Sequence, residues 1–170
     1  MGKKVLIVGG VAGGASCAAR LRRLDETAEI IIFERGEYIS YANCGLPYHV
    51  GDIIRQKSSL ILVTPEAMRD KYNTDVRIRQ EVVAIDRAAK TVTVRKTDTG
   101  ETYSESYDTL VLSTGSSPVK PPIPGIDSKR IMTLWTVPDT DRIRSAVRDQ
   151  GVKTAAVIGG GFIGLEMAEN

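Results

Sequence analysis

Short apolar runs alternate with helix-periodic stretches along the first third of the chain. Residues 3–8 form a β-branched run that ends at Gly9, which is typical of a buried parallel strand. Residues 13–26 place small apolar side chains among polar ones, and this spacing predicts a helix with a small-residue inner face. Residues 29–33 form a second apolar run, closed by Glu34. Strand, helix and strand in this order predict the βαβ unit of a doubly wound α/β sheet.

The middle of the chain predicts a different kind of sheet. Residues 38–59 are irregular apart from a short helix expected to start near Cys44, and a further helix is expected to begin after Thr64, an N-cap residue followed by proline. Alternating apolar and polar positions then predict an inserted antiparallel meander with a hairpin turn at residues 98–100. The strands predicted in this region are residues 76–79, 82–86, 91–96 and 101–107. Residues 109–112 return to an apolar run, which favours a central strand of the parallel sheet.

The last third of the chain predicts the beginning of a second unit. Residues 116–125 contain four prolines, so we expect a stiff crossover there rather than regular structure. A helix at 138–150, a strand at 153–158 and a helix from Gly161 are predicted to follow, and Gly159–Gly164 is a complete G-x-G-x-x-G. A βαβ unit needs a second strand, so the sequence is expected to stop inside a second nucleotide-binding domain. The predicted divisions are 1–115 for the first domain, 116–125 for the crossover and 126–170 for the start of the second domain.

The glycine turn after the first strand, Gly9-Gly10-Val11-Ala12-Gly13-Gly14, follows the pattern of a nucleotide-binding turn. Its first and last glycines suit a tight turn and close packing of helix on strand, whereas Val11 stands where glycine usually lets the backbone approach a pyrophosphate. Glu34 lies twenty residues after Gly14, where a carboxylate can bind a pair of ribose hydroxyls. The alternative is a glycine-tolerant turn with an exposed acid at a strand end. The matching context and spacing favour nucleotide binding.

Two cysteines, Cys17 and Cys44, are too few for a disulfide framework and predict free thiols. Cys44 follows Asn43 and precedes a predicted helix start, and a helix N-terminus favours the thiolate form of a cysteine. A free cysteine is otherwise most often a small buried hydrophobe, which is how we interpret Cys17 among its helical alanines. We therefore predict that Cys44 is a redox nucleophile. His49, the only histidine, is either a base for this thiol or, as is more common, an apolar-facing or loop histidine.

Bulk composition argues against several classes of function. The 170 residues carry a net charge of +2, which predicts neither nucleic-acid wrapping nor membrane attraction. No apolar stretch reaches the length of a membrane span and no signal peptide precedes the first strand, so a cytoplasmic protein is expected. No metal site is predicted. Arg20 and Arg23 share a helix face, which is either a solvated basic surface or a phosphate site.

Four segments together resemble one protein family closely. They are VLIVGGVAGGASCAARLRRLDE, IIIFERGEYISYANCGLPYHVGDI, YDTLVLSTGSSPVKPPIPG and VIGGGFIGLEMAEN. The resemblance is to the single-cysteine branch of the flavin-dependent pyridine nucleotide–disulfide oxidoreductases, and within it to coenzyme A-disulfide reductases and coenzyme A-dependent persulfide or polysulfide reductases. It covers the whole chain but only the front part of the family's length. The motif S-x-x-N-C-G-L-P-Y is its specific part.

The resemblance implies that an FAD is held by the first glycine turn, with Glu34 on the ribose, a backbone contact to adenine near Val82, and Thr114 and Gly115 close to the flavin. It implies that NAD(P)H docks at the second glycine turn and that its electrons reach Cys44 through the flavin. The implied FAD residues are Gly9, Val11, Ala12, Gly13, Gly14, Glu34, Arg35, Val82, Thr114 and Gly115. The implied NAD(P)H residues are Gly159, Gly161, Phe162, Ile163 and Gly164.

The resemblance also implies coenzyme A disulfide or persulfide as the substrate, attacked by the Cys44 thiolate in thiol–disulfide exchange. The implied coenzyme A contacts are Ser16, Arg20, Arg23, Ser40, Asn43 and Lys71. Family members are homodimers in which the partner subunit contributes tyrosines, and a second flavin-binding segment comes later in their chain. We therefore do not expect activity from these 170 residues alone.

Two alternatives stay open beside this interpretation. NADH oxidases and peroxidases of the same branch carry a histidine in the first turn, where this chain has Ala12, and that difference argues against peroxide chemistry. They are the alternative class of enzyme. A nucleotide-binding module without chemistry is the alternative outside enzymes.

Overall fold

A computed structural model describes residues 2–170 of the chain. Its strands are β1 Lys4–Val8, β2 Glu29–Glu34, β3 Asp75–Ile78, β4 Gln80–Asp86, β5 Thr91–Lys96, β6 Thr102–Ser106 and β7 Thr109–Leu112. Its α-helices are α1 Ala12–Leu24, α2 Leu46–Val50, α3 Pro65–Tyr72, α4 Val137–Arg148 and α5 Phe162–Glu169. Short 3-10 helices lie before α2 at Asn43–Gly45 and before α3 at Lys57–Leu60.

The described residues form two compact units. The first contains the residues up to Tyr41 together with Ile61–Gly115, and the second contains Ala42–Leu60 together with Ser116–Asn170. This division assigns the segment around Cys44 to the second unit, whereas the sequence predicts it within a first domain that extends to residue 115.

The first unit contains a four-stranded parallel sheet with the strand order β3-β2-β1-β7. The predicted βαβ unit is confirmed by β1, α1 and β2. Two strand predictions need correction, since β7 lies at the edge of this sheet rather than at its centre, and β3 belongs to this sheet rather than to the meander. The apolar pattern could not decide either point, because a strand's neighbours are chosen by contacts between distant segments.

The two faces of the parallel sheet bury different side chains, as the alternation along a pleated strand requires. On one face, the small residues of α1 pack against the sheet in a core made of Val5, Ile7, Ala15, Ala18, Ala28, Ile30, Ile32, Ile39, Met68 and Val76. On the other face, the second core consists of Leu6, Ile31, Phe33, Val92 and Val94. The last two belong to the predicted antiparallel meander, which is confirmed with the order β4-β5-β6.

Within the described residues, the second unit contains the helices α2, α4 and α5 and no strand. The predicted strand at 153–158 is wrong, because no neighbouring strand in this unit is available to hydrogen bond with it. The proline-rich residues 116–125 form neither helix nor strand, as predicted. Across residues 2–170, none of the helices combines the length and the apolar character that crossing a membrane requires.

Candidate functional site

The first glycine turn joins β1 to α1 with a geometry that only glycine allows at two positions. Gly9 has a φ of 100°, in the left-handed region, and its N–H donates to the carbonyl of Phe33 at 2.8 Å. A Cβ placed on Gly14 would collide with the carbonyl oxygen of Gly9 and approach Ile7. The predicted roles of these two glycines, a tight turn and close packing of helix on strand, therefore have a steric basis here.

Glu34 is fixed at the end of β2 by backbone donors from both sides. One carboxylate oxygen accepts from the N–H of Gly10 at 2.8 Å, and the other accepts from the N–H of Gly36 at 2.8 Å. Each oxygen keeps a further lone pair, so the carboxylate can still accept from the hydroxyls of a ribose.

A cavity of about 110 Å³ opens beside this carboxylate. It is lined by Val8, Gly9, Phe33, Glu34, Arg35, Gln80, Glu81, Val82 and Thr114. The structure thus brings four predicted cofactor residues, Glu34, Arg35, Val82 and Thr114, to the mouth of the first glycine turn. A fixed carboxylate and a glycine turn at a helix start fit the adenosine end of a dinucleotide.

The predicted coenzyme A contacts on α1 lie on one exposed face. Ser16, Arg20 and Arg23 are all exposed, and their spacing places them on one side of the helix. Arg22, in contrast, donates to the carbonyls of Tyr72 at 2.9 Å and of other residues, so it holds the end of α3. Arg20 and Arg23 form no hydrogen bond or ion pair among residues 2–170. Their guanidinium groups can therefore donate hydrogen bonds to a phosphate.

The other predicted substrate contacts on the first unit are held in different ways. Ser40 has a φ of 45° and donates its N–H to the carbonyl of Gly10 at 3.0 Å, which fixes it beside the glycine turn. Lys71 is exposed near the end of α3, where its ammonium lies 5.4 Å from the centre of the Tyr72 ring. The ammonium keeps its donors for a ligand.

Cys44 is a free, exposed cysteine in the 3-10 helix directly before α2. The turn is fixed because the N–H of Gly45 donates to the carbonyl of Ala42 at 2.9 Å, and because Gly45 is buried where a Cβ would collide with Leu60. The predicted helix start near Cys44 is confirmed, and the thiol is not a buried packing group. Cys17, in contrast, lies within α1 and packs half-buried against the core, as predicted.

An apolar cavity of about 320 Å³ lies beside Cys44 in the second unit. It is lined by Asn43, Cys44, Leu46, Pro47, Leu134, Trp135, Phe162, Ile163 and Glu166. Phe162 and Ile163, predicted for NAD(P)H, thus lie around the same cavity as the predicted nucleophile. The sequence did not identify Leu134, Trp135 or Glu166, although Trp135 is the only tryptophan of the chain and that rarity was an available signal.

Among the described residues that line this cavity, Glu166 is the only charged one, and it has a polar partner. The hydroxyl of Tyr48 donates to Glu166 Oε1 at 3.4 Å. The Glu166 carboxylate, with a smaller contribution from Cys44, raises the pKa of Tyr48 above its usual value and keeps the phenol protonated as a donor.

His49 is a buried residue of α2 whose ring is hydrogen-bonded to the backbone. Its Nδ1 lies 2.6 Å from the carbonyl of Ile54, an arrangement in which Nδ1 carries the proton and donates. The carbonyl of His49 itself accepts from Arg144. These contacts favour the structural interpretation of His49 over a role as the base for Cys44.

The second glycine turn repeats the local geometry of the first. Gly159 has a φ of 112°, and a Cβ on Gly164 would collide with the carbonyl oxygen of Gly159. Gly161 precedes α5 as its N-cap, and Phe162 and Ile163 begin the helix. The local shape of a nucleotide-binding turn is therefore present at both predicted positions.

Comparison with known proteins identifies the class to which this fold and these turns belong. The family described as pyridine nucleotide-disulphide oxidoreductase matches residues 3–170, and the chain belongs to this family. A curated relative, the coenzyme A disulfide reductase of Staphylococcus haemolyticus, is 42% identical over 168 residues, which are 99% of this chain and 38% of the relative. The chain thus spans well under half the length of the relative it matches.

Solved structures give the same result. The reduced CoADR-RHD of Bacillus anthracis is 53% identical with a TM-score of 0.97, and the match covers 99% of this chain and 30% of that one. An NAD-dependent persulfide reductase from A. fulgidus is 38% identical with a TM-score of 0.92, covering 98% of this chain and 31% of that one. The predicted α/β fold and the predicted family resemblance are confirmed.

Proposed function

We propose that this chain forms the flavin-binding and cysteine-bearing part of an FAD- and NAD(P)H-dependent reductase of coenzyme A disulfide or coenzyme A persulfide. The observation that carries the proposal is the exposed Cys44 thiol on a fixed turn at the edge of an apolar cavity. Two relatives, named as a coenzyme A disulfide reductase and a persulfide reductase, support this class of substrate.

The residues of the first unit fit the dinucleotide part of FAD. Glu34 would accept hydrogen bonds from the ribose hydroxyls, and the first N–H groups of α1 would donate to the pyrophosphate. Val82 and Thr114 line the same cavity and would contact the remainder of the ligand. When bound, the flavin supplies a two-electron couple between NAD(P)H and sulfur.

Cys44 performs the exchange with the substrate. Its thiolate attacks one sulfur of coenzyme A disulfide, the substrate S–S bond breaks, and a new S–S bond joins Cys44 to one coenzyme A. The departing thiolate takes up a proton and leaves as coenzyme A. Two electrons from NAD(P)H then cleave the mixed disulfide, which restores the Cys44 thiolate and releases the second coenzyme A after protonation.

Charge on α1 supplies the specificity for coenzyme A. Arg20 and Arg23 present exposed guanidinium groups that would bind its phosphates, and Ser16, Ser40, Asn43 and Lys71 are the further proposed contacts. We also propose that the protein is a homodimer. In it, the partner subunit supplies the tyrosines that family members contribute from a later segment of their chain. The proposal also includes a cytoplasmic location, since the free thiols suit a reducing compartment.

Replacing Cys44 tests the proposed nucleophile. In the full-length, flavin-loaded protein, Cys44→Ser should abolish reduction of coenzyme A disulfide, while NAD(P)H still bleaches the flavin absorbance. Cys17→Ser is the matched control, because this half-buried thiol packs in the core and its loss should leave turnover unchanged. Unaffected turnover in Cys44→Ser would refute the proposal, and rapid NADH consumption with oxygen or peroxide, without coenzyme A species, would favour an oxidase or peroxidase.

A further inference from the structure

The helix behind Cys44 is too short to hold its own position. α2 contains five residues, Leu46–Val50, and isolated helices of this length are unstable in water. Its place must therefore come from contacts with other elements of the second unit. Among these, α4 makes polar contacts with the end of α2 that lies away from Cys44.

Arg144 of α4 joins two groups at that end. Its guanidinium donates to the carbonyl of His49, in the last turn of α2, and its Nη2 lies 2.8 Å from Asp52 Oδ1. The side chain of Arg144 is only 13% exposed, so this contact is shielded from solvent. Arg144 and Asp52 Oδ1 form an ion pair whose geometry is not that of a hydrogen bond. Arg148 pairs with the other carboxylate oxygen of Asp52.

These contacts satisfy what a helix end requires. The last carbonyls of a helix have no partner within it and carry partial negative charge, so a cation that donates to one of them is favourable. Asp52 follows the C-cap Gly51 and has a φ of 67°, a left-handed conformation that the two arginines help to hold. The arginine partners, Arg148 first and Arg144 second, lower the pKa of Asp52 below its usual value.

The segment that leads into α4 lines the cavity beside Cys44. Leu134 and Trp135, which line that cavity, directly precede the capping box of α4. Asp139 fixes this lead-in by accepting from the N–H of Trp135 at 3.0 Å and from the N–H of Thr136 at 2.7 Å. The segment that leads into α4 thus provides part of the cavity wall, and α4 itself contacts the far end of the short helix that follows Cys44.

We propose that Arg144 is a positioning residue for Cys44, which keeps α2, and with it the thiol, in place against the cavity wall supplied by the two residues that lead into α4, Leu134 and Trp135. This inference rests on the proposed function of Cys44. It assigns to Arg144 an effect on the sulfur step and none on the reduction of the flavin by NAD(P)H.

The test separates the two half-reactions in the full-length, flavin-loaded protein. Arg144→Met keeps the apolar stem and removes the guanidinium, and we expect a fall of about 10- to 100-fold in turnover of coenzyme A disulfide, because small displacements of a reacting group have effects of this size. The flavin content and the rate of flavin reduction by NAD(P)H should stay unchanged. Asp52→Asn, which keeps the shape and loses the charge, should show a smaller loss with the same selectivity.

Arg130→Met is the matched control. Arg130 is an exposed arginine of the same unit, and its side chain forms no hydrogen bond or ion pair among the described residues. Its turnover should equal that of the unmodified protein. Arg144→Met with normal disulfide turnover, or with both half-reactions reduced together, would overturn the inference. Since Cys44→Ser is measured beside it, such an outcome would leave the proposed function of Cys44 standing.

Discussion

The two glycine turns have the same local shape in very different surroundings. In each, the first glycine is left-handed, with a φ of 100° at Gly9 and 112° at Gly159, and the last glycine leaves no room for a Cβ. Each is followed by a helix, α1 or α5, that starts three residues after the first glycine. The strand before the first turn lies between two others, whereas residues 151–160 before the second turn have no hydrogen-bonded neighbour strand and are exposed.

The glycine motif alone determines the local shape of the turn, whereas a surrounding sheet is needed to bury the segment before it. Leu6 and Ile7 before the first turn are fully buried, while Ile158 before the second is 96% exposed, although both segments are apolar. The turn and the following helix start are therefore properties of the local sequence. Burial of the preceding strand depends on partners from elsewhere in the fold.

The largest expected effect comes from adding a methyl group to the last glycine of each turn. Gly14→Ala should lower the free energy of unfolding of the first unit by about 3 kcal/mol, because β1 is fixed by its neighbours and cannot move away from the new Cβ. Gly164→Ala should cost about 1 kcal/mol or less, because the exposed segment before it can shift. Urea unfolding followed by circular dichroism measures both. Equal losses would show that the surrounding sheet does not matter.

The second expected effect concerns Glu34, whose carboxylate binds the first glycine turn. Among the described residues, the second turn has no such carboxylate. In Glu34→Gln, one of the two N–H groups of Gly10 and Gly36 would face an amide donor instead of an acceptor. We expect a loss of about 1.5 kcal/mol, the usual size for hydrogen bonds to a charged group.

Glu37→Gln is a suitable control for that change, since Glu37 is exposed and pairs with Arg79 at the surface. It should change the urea midpoint little. A midpoint for Glu34→Gln equal to that of the control would mean that the carboxylate does not hold the turn.

Much of this fold follows from short-range signals in the sequence. Thr64 caps α3 by accepting from the N–H of Ala67 at 3.2 Å, and Gly100 forms the hairpin turn, both as their residue types indicate. The edge position of β7 was not predictable, because it depends on which strands find one another. The strand predicted at 153–158 failed for the same reason.

The site shows a similar division. Glu34 and Cys44 stand out because their motifs place them at a strand end and a helix start. Trp135 and Arg144 reach the surroundings of Cys44 from α4 and the segment before it, which are distant in sequence, and no spacing rule connects them with it. The candidate residues could be found from their motifs in the sequence, whereas the residues that surround them could be found only from the fold.

Acid should affect the second unit through the ion pairs around Asp52. Arg148 and Arg144 hold the pKa of this carboxyl below its ordinary value of 3.8, so its stabilising effect is present above about pH 4 and is lost as the pH falls through the lowered value. Burial opposes ionisation of Asp139, but hydrogen bonds from Thr136 outweigh it and lower that pKa too, which adds to the acid transition.

The fluorescence of Trp135, in the second unit, reports this transition during urea unfolding at a series of pH values. Asp52→Asn should flatten the dependence of the midpoint on pH below about pH 4, because the substituted side chain no longer titrates. Asp141→Asn, on the exposed side of α4, is the matched control and should retain the slope. An unchanged slope in Asp52→Asn would mean that these ion pairs do not couple α2 to α4.

The smallest expected effect tests how open the second turn is. Phe162 occupies the helix position that Ala12 occupies after the first turn, and it is 88% exposed. Phe162→Ala should therefore change the free energy of unfolding by no more than about 0.5 kcal/mol, as for other exposed positions. Val137→Ala, at a fully buried position of α4, should cost about 2 kcal/mol in the same measurement. Should Phe162→Ala cost as much as Val137→Ala, the ring would be packed, and the contrast between a supported first turn and an open second turn would fail.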